Sequence, residues 1–261
     1  DANYNITIVG ANDGDNPVFS MPTSSTGRKL DLTNVTIQDN TVSGNGGAIR
    51  LTNNAGVKLT NVTIQNCSAG GYGGAVYHED CGTKVGGVKC ENVTFKNNNA
   101  KGGSAIYVDG VTGMSTDEYK GLTINGCTFT GNSSTDETAS TAAEAVKLDN
   151  VIYVDCIPGS FNQSVAAELK NTNTFTSNTT YSDINLGSNM ATMSDLNKSV
   201  KLTNFSLSTD REGGKLKVVV GSYSVSGTTG TYVFYTSVLT PDQLNTMAGN
   251  FSLTADKSGS G

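Results

Sequence analysis

Four-residue segments of alternating polar and apolar residues recur along the first two thirds of the chain. Three of them are almost identical and end in Ile37, Ile64 and Phe95, and looser copies end in Phe129 and Phe175. Alternation with a period of two is typical of a β-strand that buries one face. In each copy we therefore predict that the apolar residues point into a core and that the threonine between them points outward.

A second apolar strand follows each of the first four copies. Each of these strands is preceded by a Gly-Gly pair or its equivalent, which we expect to turn the chain. These pairs begin at Gly46, Gly73, Gly103 and Ala143. The predicted inward residues of these strands are Ile49, Val76, Ile106 and Val146 and, two positions later, Leu51, His78, Val108 and Leu148. The predicted outward residues form a column of Arg50, Tyr77, Tyr107 and Lys147.

Between the two strands, three residues after the apolar anchor, the chain usually carries an asparagine. These asparagines are Asn40, Asn98, Asn132 and Asn178, and Cys67 takes the position in the second copy. Asparagine tolerates the left-handed backbone conformation and hydrogen-bonds its own backbone. We therefore predict a turn at each of these positions, with the asparagine as the turn residue.

Successive apolar anchors are 27, 31, 34 and 46 residues apart, so the strands recur while the connections between them lengthen. Solenoids accommodate sequence variation in this way. We predict an all-β fold, a right-handed parallel β-helix (β-solenoid) with a small C-terminal antiparallel β region. Residues 1–30 are interpreted as an N-terminal cap, residues 31–198 as the β-helix repeats, and residues 199–261 as a C-terminal β module or cap with a flexible tail.

The two motifs together, apolar-x-x-Asn and Gly-Gly-Ala-apolar, resemble the repeats of the chlamydial polymorphic outer membrane proteins. They are also similar to repeats in other adhesin-like β-helical surface proteins. The resemblance covers roughly residues 31 to 190, with Cys67 and Ala143-Glu144 as departures from the pattern. It implies a β-helical domain that is exposed at the cell surface and is often adhesive.

Composition narrows the choice of partners. The formal net charge is −6, and arginine occurs only at Arg28, Arg50 and Arg211, so no basic stripe is available to neutralise phosphates. We therefore expect no nucleic acid partner. No apolar run is long enough for a membrane-spanning helix, and we expect no membrane insertion. The chain begins at Asp1 without a signal peptide, which we interpret as a processed, exported segment located outside the cell or on its surface.

The five cysteines leave two interpretations open. Cys81 and Cys90 flank a Gly-rich loop and could form a disulfide across it. Alternatively, the cysteines are small buried thiols, because free cysteine behaves as a small hydrophobic residue.

Candidate chemistry is sparse. The densest titratable cluster, His78-Glu79-Asp80, holds the single histidine at the end of a predicted strand. β-Helices include polysaccharide lyases and glycoside hydrolases, which need clustered carboxylates; we predict no catalysis and keep that class as the alternative. Asp13 and Asp15 lie in a short acidic, Gly-containing turn that resembles part of a calcium loop. We expect no cofactor, with calcium as the one alternative that the sequence leaves open.

The outward column of Arg50, Tyr77, Tyr107 and Lys147 is the predicted ligand-binding site, because aromatic rings beside cations can contact sugars or proteins. The expected partner is a host or neighbouring-cell protein or glycan. The predicted function is therefore that of a non-enzymatic, adhesin-like or structural surface protein. An alternative is self-association into an extracellular filament whose subunits join by strand addition.

Overall fold

The computed structural model describes residues 6–22, 27–79, 86–111, 121–134, 149–156, 167–187, 200–211, 216–225 and 228–236. This part of the chain contains 23 strands and no helix, and it winds into a parallel β-solenoid of about five turns. The predicted fold class is confirmed. No helix in these ranges is long and apolar enough to cross a membrane.

Each turn of the solenoid adds one strand to each of four parallel stacks. The first stack contains β3 (Arg28–Thr33), β7 (Ala55–Thr60), β11 (Gly87–Glu91) and β15 (Gly121–Asn125). The second stack contains β1 (Ile6–Val9), β4 (Val35–Gln38), β8 (Thr63–Gln65), β12 (Thr94–Lys96) and β16 (Thr128–Thr130). The long strand β19 (Ala167–Thr176) continues both stacks, and β21 (Val200–Thr209) pairs along it.

Two further stacks complete the turn. The short stack contains β5 (Thr41–Val42), β9 (Ser68–Ala69), β13 (Asn99–Ala100) and β17 (Ser133–Ser134). The fourth stack contains β2 (Phe19–Met21), β6 (Ile49–Thr52), β10 (Val76–Glu79), β14 (Ile106–Val111), β18 (Asn150–Cys156), β20 (Ser182–Asn185), β22 (Leu216–Val225) and β23 (Thr228–Thr236).

The apolar anchors lie in a single file inside the solenoid, as the repeat predicts. Ile37 pairs with Ile64, Ile64 with Phe95, and the column continues through Phe129 to Phe175. All five side chains are buried. The three phenylalanine rings stack with centroids 5.0 and 4.7 Å apart. Aligned register therefore places like side chains against each other and gives the core its continuous packing.

The turn prediction is wrong in one respect, because the predicted asparagines are not the left-handed residues. The residue before each of them has positive φ instead, at Asp39, Asn66, Asn97, Gly131 and Ser177. A second set of left-handed residues, Asn34, Asn61 and Asn92, bends the chain between the first and second stacks. Asn40, Asn98 and Asn132 are buried. They are needed for side-chain hydrogen bonds.

These buried asparagines form a ladder along the axis. The Asn98 side chain accepts from the backbone N–H of Cys67 at 3.0 Å and donates to the carbonyl of Ile64 at 3.0 Å. Asn132 repeats this pattern one turn later, accepting from the N–H of Asn98 and donating to the carbonyl of Phe95. The ladder satisfies backbone groups that the bend would otherwise leave buried without partners.

Both ends of the described chain join the solenoid. Ile8 pairs in parallel with Ile37, and Phe19 with Ile49, so residues predicted as a cap form strands of the first turn. Near the other end, β21 and β22 still pair in parallel with β19 and β20. The predicted antiparallel region is the β22–β23 hairpin. Residues 237–261, with the predicted flexible tail, lie outside the described ranges.

Cys67 interrupts the asparagine ladder, and we expect Cys67→Asn to repair it. The new amide would accept from the N–H of Asn40 and donate to the carbonyl of Ile37, the bonds that Asn98 makes one turn later. We expect the free energy of unfolding to rise by about 1 kcal/mol, measured by urea unfolding. Cys67→Ser is the control, because serine cannot reach both groups. Equal stability of the two variants would contradict the ladder.

An ion-pair network attaches β21 to the turn before it. The Glu168 side chain, only 9% exposed, lies 3.1 Å from the Lys170 ammonium and 3.2 Å from that of Lys201, and accepts from the Thr203 hydroxyl at 2.9 Å. Burial alone would raise the pKa of Glu168, but these hydrogen bonds and charges outweigh it and lower the pKa below its ordinary value of 4.5.

We expect Glu168→Gln to lower the free energy of unfolding at pH 7 by roughly 1–2 kcal/mol. A group with a lowered pKa stabilises the fold above its unfolded-state pKa, and this stabilisation is lost as pH falls through the folded-state pKa. The difference between wild type and variant should therefore shrink below pH 4.5. Thermal unfolding across this pH range measures it, with Glu91→Gln, on a more exposed side chain, as the control. A difference that is independent of pH would contradict the charged network.

Candidate functional site

The outward column of the fourth stack differs at one position from the predicted one. Arg50 pairs with Tyr77, and Tyr77 with Tyr107, as predicted. The next strand in register is β18, in which Tyr153 pairs with Tyr107. Tyr153 therefore holds the position that we assigned to Lys147, which lies outside the described residues. In the sequence, Ala143-Glu144 is the segment most similar to the Gly-Gly pairs in this repeat. In the structure, the strand that pairs with β14 starts later, at Asn150.

The tyrosines of the column stack on one another. The rings of Tyr77 and Tyr107 are 5.5 Å apart between centroids, and those of Tyr107 and Tyr153 are 4.4 Å apart. Tyr72, from the turn before β10, stacks on Tyr107 at 4.7 Å. Sequence reasoning missed Tyr72 and Tyr153. We name these four residues the tyrosine cluster.

Glycines at the corner make room for this cluster. Gly73 and Gly103 have φ of 69° and 55°, in the left-handed region that glycine adopts without a Cβ clash. A Cβ on Gly73 would lie 2.8 Å from the Cβ of Tyr77, and one on Gly103 would lie 2.8 Å from the Cβ of Tyr107. The Gly-Gly motif therefore serves both the turn and the placement of a large side chain four residues later.

A row of carboxylates runs beside the tyrosines. Glu79, Asp109 and Asp155 each follow a column tyrosine by two residues and thus share its face of the sheet. All three are at least partly exposed. We name them the acidic row. Neighbouring strands in a stack are about 4.8 Å apart, so the column tyrosines, which pair in register, repeat at about that spacing along the axis. The pairing of β14 with β18 shifts register between Val108 and Val111, so the acidic row is less regular.

The hydroxyls of Tyr77 and Tyr107 stay protonated near neutral pH. Burial raises the pKa of Tyr77 to about 12, and the nearby charges of Glu79 and Asp109 add to the shift. Burial also raises the pKa of Tyr107, with a further contribution from Asp109. The site therefore combines neutral hydroxyls, which donate and accept hydrogen bonds, with carboxylates that only accept them.

Arg50 and Asp15 are engaged with each other. The Arg50 guanidinium lies 3.1 Å from one carboxylate oxygen of Asp15, and the other oxygen accepts from the Gly44 N–H at 2.8 Å. Asp13 is exposed on the same turn. Among the residues that the structure describes, no group of three His, Cys, Asp or Glu is arranged to hold a metal ion. The contacts of Asp15 thus have a structural role, which fixes the first turn to the second.

His78 points into the core, as its position in the alternation predicts. It is fully buried, and its Nε2 lies 2.6 Å from the carbonyl oxygen of Ala55. Its neighbour Glu79 faces outward, and Asp80 lies outside the described residues. The strand therefore separates the histidine from the carboxylate next to it, and the two do not form an acid–base pair on one surface.

Cys90 is a free, fully buried thiol, so the predicted Cys81–Cys90 disulfide is not formed. The Cys90 side chain occupies an inward position that Leu59 and Ile124 hold in the neighbouring turns. Cys81 lies outside the described residues. Cys67 and Cys127 are also free and buried, and desolvation raises the pKa of Cys67 to about 11. These three thiols serve as small core residues, the other interpretation that the sequence left open.

The connections that leave the fourth stack lengthen along the solenoid, beside the acidic row. Two residues join Thr52 to Ala55 in the second turn of the described chain. The later connections run from Glu79 to Gly87, from Val111 to Gly121 and from Cys156 to Ala167. The added length thus lies at the two corners that flank the fourth stack, because the largest increase, in the last repeat, comes from the 15 residues between Ser134 and Asn150. Insertions in solenoids are grouped on one side in this way, often the side that binds.

A family model described as a domain of unknown function (DUF4957) matches residues 1–116. The matched stretch includes Tyr77 and Tyr107, whereas Tyr153 lies beyond it. No curated protein and no solved structure matches the chain. The resemblance to polymorphic outer membrane protein repeats stays a prediction.

The tyrosine cluster should contribute to stability through its rings. We expect Tyr107→Ala to lower the free energy of unfolding by roughly 2 kcal/mol, since Tyr107 contacts three other rings, whereas Tyr107→Phe should change it little. Urea unfolding of both variants measures the difference. A large loss in Tyr107→Phe would show that the hydroxyl, and not ring stacking, stabilises the cluster.

Proposed function

We propose that the protein is an extracellular or cell-surface β-helical binding module, adhesin-like and without catalytic activity, whose ligand contacts the outward face of the fourth stack. The observation that carries this proposal is the tyrosine cluster, four rings held in one place by aligned strands and corner glycines. Tyrosine supplies large, amphipathic contact area with few rotatable bonds, which is why it is enriched in binding surfaces.

The sheet makes this face well suited to binding. Residues on strands are held more precisely than residues on loops, so ligand contacts need little ordering of the protein. The acidic row adds hydrogen-bond acceptors on the same face of the sheet. β-Solenoids of this kind are compatible with adhesive or structural roles, and one fold is reused for many functions, so the proposal depends on the site.

Binding to glycan arrays and to intact cells tests the proposal. We expect Tyr107→Ala and Tyr153→Ala to reduce retention of the protein by about tenfold, because each removes a central part of the contact surface. Thr63→Ala, on the outward side of the second stack, is the matched control and should bind as wild type does. Equal loss in the control and tyrosine variants, or no loss in either, would be inconsistent with a site on the fourth stack.

The enzymatic alternative is tested on the acidic row. Carboxylates on neighbouring turns could act as an acid–base pair on a polysaccharide, since retaining glycosidases use two carboxyl groups about 5 Å apart. We expect no release of new reducing ends or unsaturated sugars from a panel of polysaccharides. Product formation that is abolished in Glu79→Gln and Asp109→Asn would replace the binding proposal by a catalytic one.

A filament role is the second candidate, and exposed side chains of the first turn favour it. Ile6 and Val9 are 57% and 60% exposed. Among the described strands, β1 is at the end of its sheet and pairs with β4 alone. Strands with an open edge recruit other strands. Electron microscopy and sedimentation at increasing concentration would reveal filaments, and Val9→Lys should then prevent them.

A further inference from the structure

Resting on the binding role proposed above, we infer that the ligand is an uncharged glycan chain that lies along the solenoid axis. It is held by hydrogen bonds to the hydroxyls of Tyr107 and Tyr153 and to the carboxylates of the acidic row, and not by stacking on the Tyr107 ring.

Both faces of the Tyr107 ring, at the centre of the cluster, are already covered. Tyr107 lies between Tyr77 and Tyr72 on one side and Tyr153 on the other, at centroid distances of 5.5, 4.7 and 4.4 Å, with interplanar angles of 26°, 28° and 14°. A sugar ring cannot stack on a face that another ring occupies. The edges and hydroxyls of the outward side chains are what remains for a ligand.

The tyrosines of the cluster differ in exposure. Tyr77 is only 7% exposed, and its hydroxyl is within hydrogen-bonding reach of the Asn45 side chain. Tyr107 and Tyr153 retain more exposure. We therefore assign recognition to these two residues and treat Tyr77 and Tyr72 as support for the ring of Tyr107.

The hydrogen-bonding groups of this face are complementary to those of a sugar. A phenol hydroxyl both donates and accepts hydrogen bonds, and a carboxylate accepts from two directions. Sugar hydroxyls both donate and accept, so they match a row of phenols beside a row of carboxylates. Hydrogen bonds to charged acceptors are the stronger ones. Glu79, Asp109 and Asp155 also place negative charge along the face, which disfavours uronic acids, sulfated glycans and other polyanions.

The site repeats along the axis. Tyr77, Tyr107 and Tyr153 pair in register on β10, β14 and β18, each with a carboxylate two residues later on the same face, so a ligand that follows the axis meets successive tyrosines at intervals of about 4.8 Å over roughly 10 Å. A linear polymer of hydroxyl-bearing units can use such a row, because each turn adds contacts without a new binding geometry. Affinity should therefore rise with chain length.

The test uses isothermal titration calorimetry with short neutral oligosaccharides of increasing length, polygalacturonate and an oligolysine peptide. The double variant Tyr107→Phe/Tyr153→Phe keeps both rings and removes only the hydroxyls, and Asp109→Asn keeps the shape and removes one charge. We expect neutral oligosaccharides to bind with Kd values that fall with length and rise about tenfold in either variant. Thr63→Ala should bind as wild type does, and near-ultraviolet circular dichroism verifies the tyrosine packing of each variant.

Four results would overturn the inference. Unchanged binding in the Tyr→Phe double variant would show that the tyrosine hydroxyls do not bind the ligand. Preferred binding of polygalacturonate would refute the uncharged class. Binding of oligolysine alone, lost in Asp109→Asn, would identify a basic ligand while leaving the proposed binding role intact. Absence of binding to all three probes, together with cell retention that Tyr107→Ala does not change, would refute both the inference and the binding role.

Discussion

Aligned stacking of equivalent strands is the constraint on which the rest of this structure depends. One turn of the chain cannot bury its own inner face, so burial comes from the turns above and below. Side chains alternate with a period of two, and a slip of one residue would turn the whole apolar file outward. The phenylalanine stack at Phe95, Phe129 and Phe175 shows the result, since one column of the sequence becomes one column of the core.

The same constraint builds the candidate site. Because strands pair in register, an outward residue on one turn lies about 4.8 Å from its equivalent on the next, and tyrosines become a stack without any loop to place them. Glycine at the corner completes the arrangement, since Gly73 and Gly103 leave room for Tyr77 and Tyr107. The glycines that turn the chain thus also avoid a clash with the first side-chain atom of each of these tyrosines.

Polar residues have different roles on the inside and the outside of the solenoid. Asn98 and Asn132 are buried and bind backbone groups of adjacent turns, which keeps the bends satisfied inside the solenoid. Outward residues such as Asp109 and Tyr153 remain partly exposed on a flat face. Added chain length lies at the two corners that flank that face. The solenoid therefore keeps its core regular while one side accumulates the features that a ligand could contact.

The sequence by itself determined the parallel β-helix, the apolar file from Ile37 to Phe175 and the outward positions of Arg50, Tyr77 and Tyr107, because these depend only on period and repeat. It also contained the alternation around Tyr153, which the less regular segment at Ala143 obscured. Tertiary structure alone decided the contribution of Tyr72, the ion pair of Arg50 with Asp15, the buried thiol of Cys90 and the parallel pairing of β21. Each of these depends on which turn lies next to which, and the spacing of residues along the chain does not specify that neighbour.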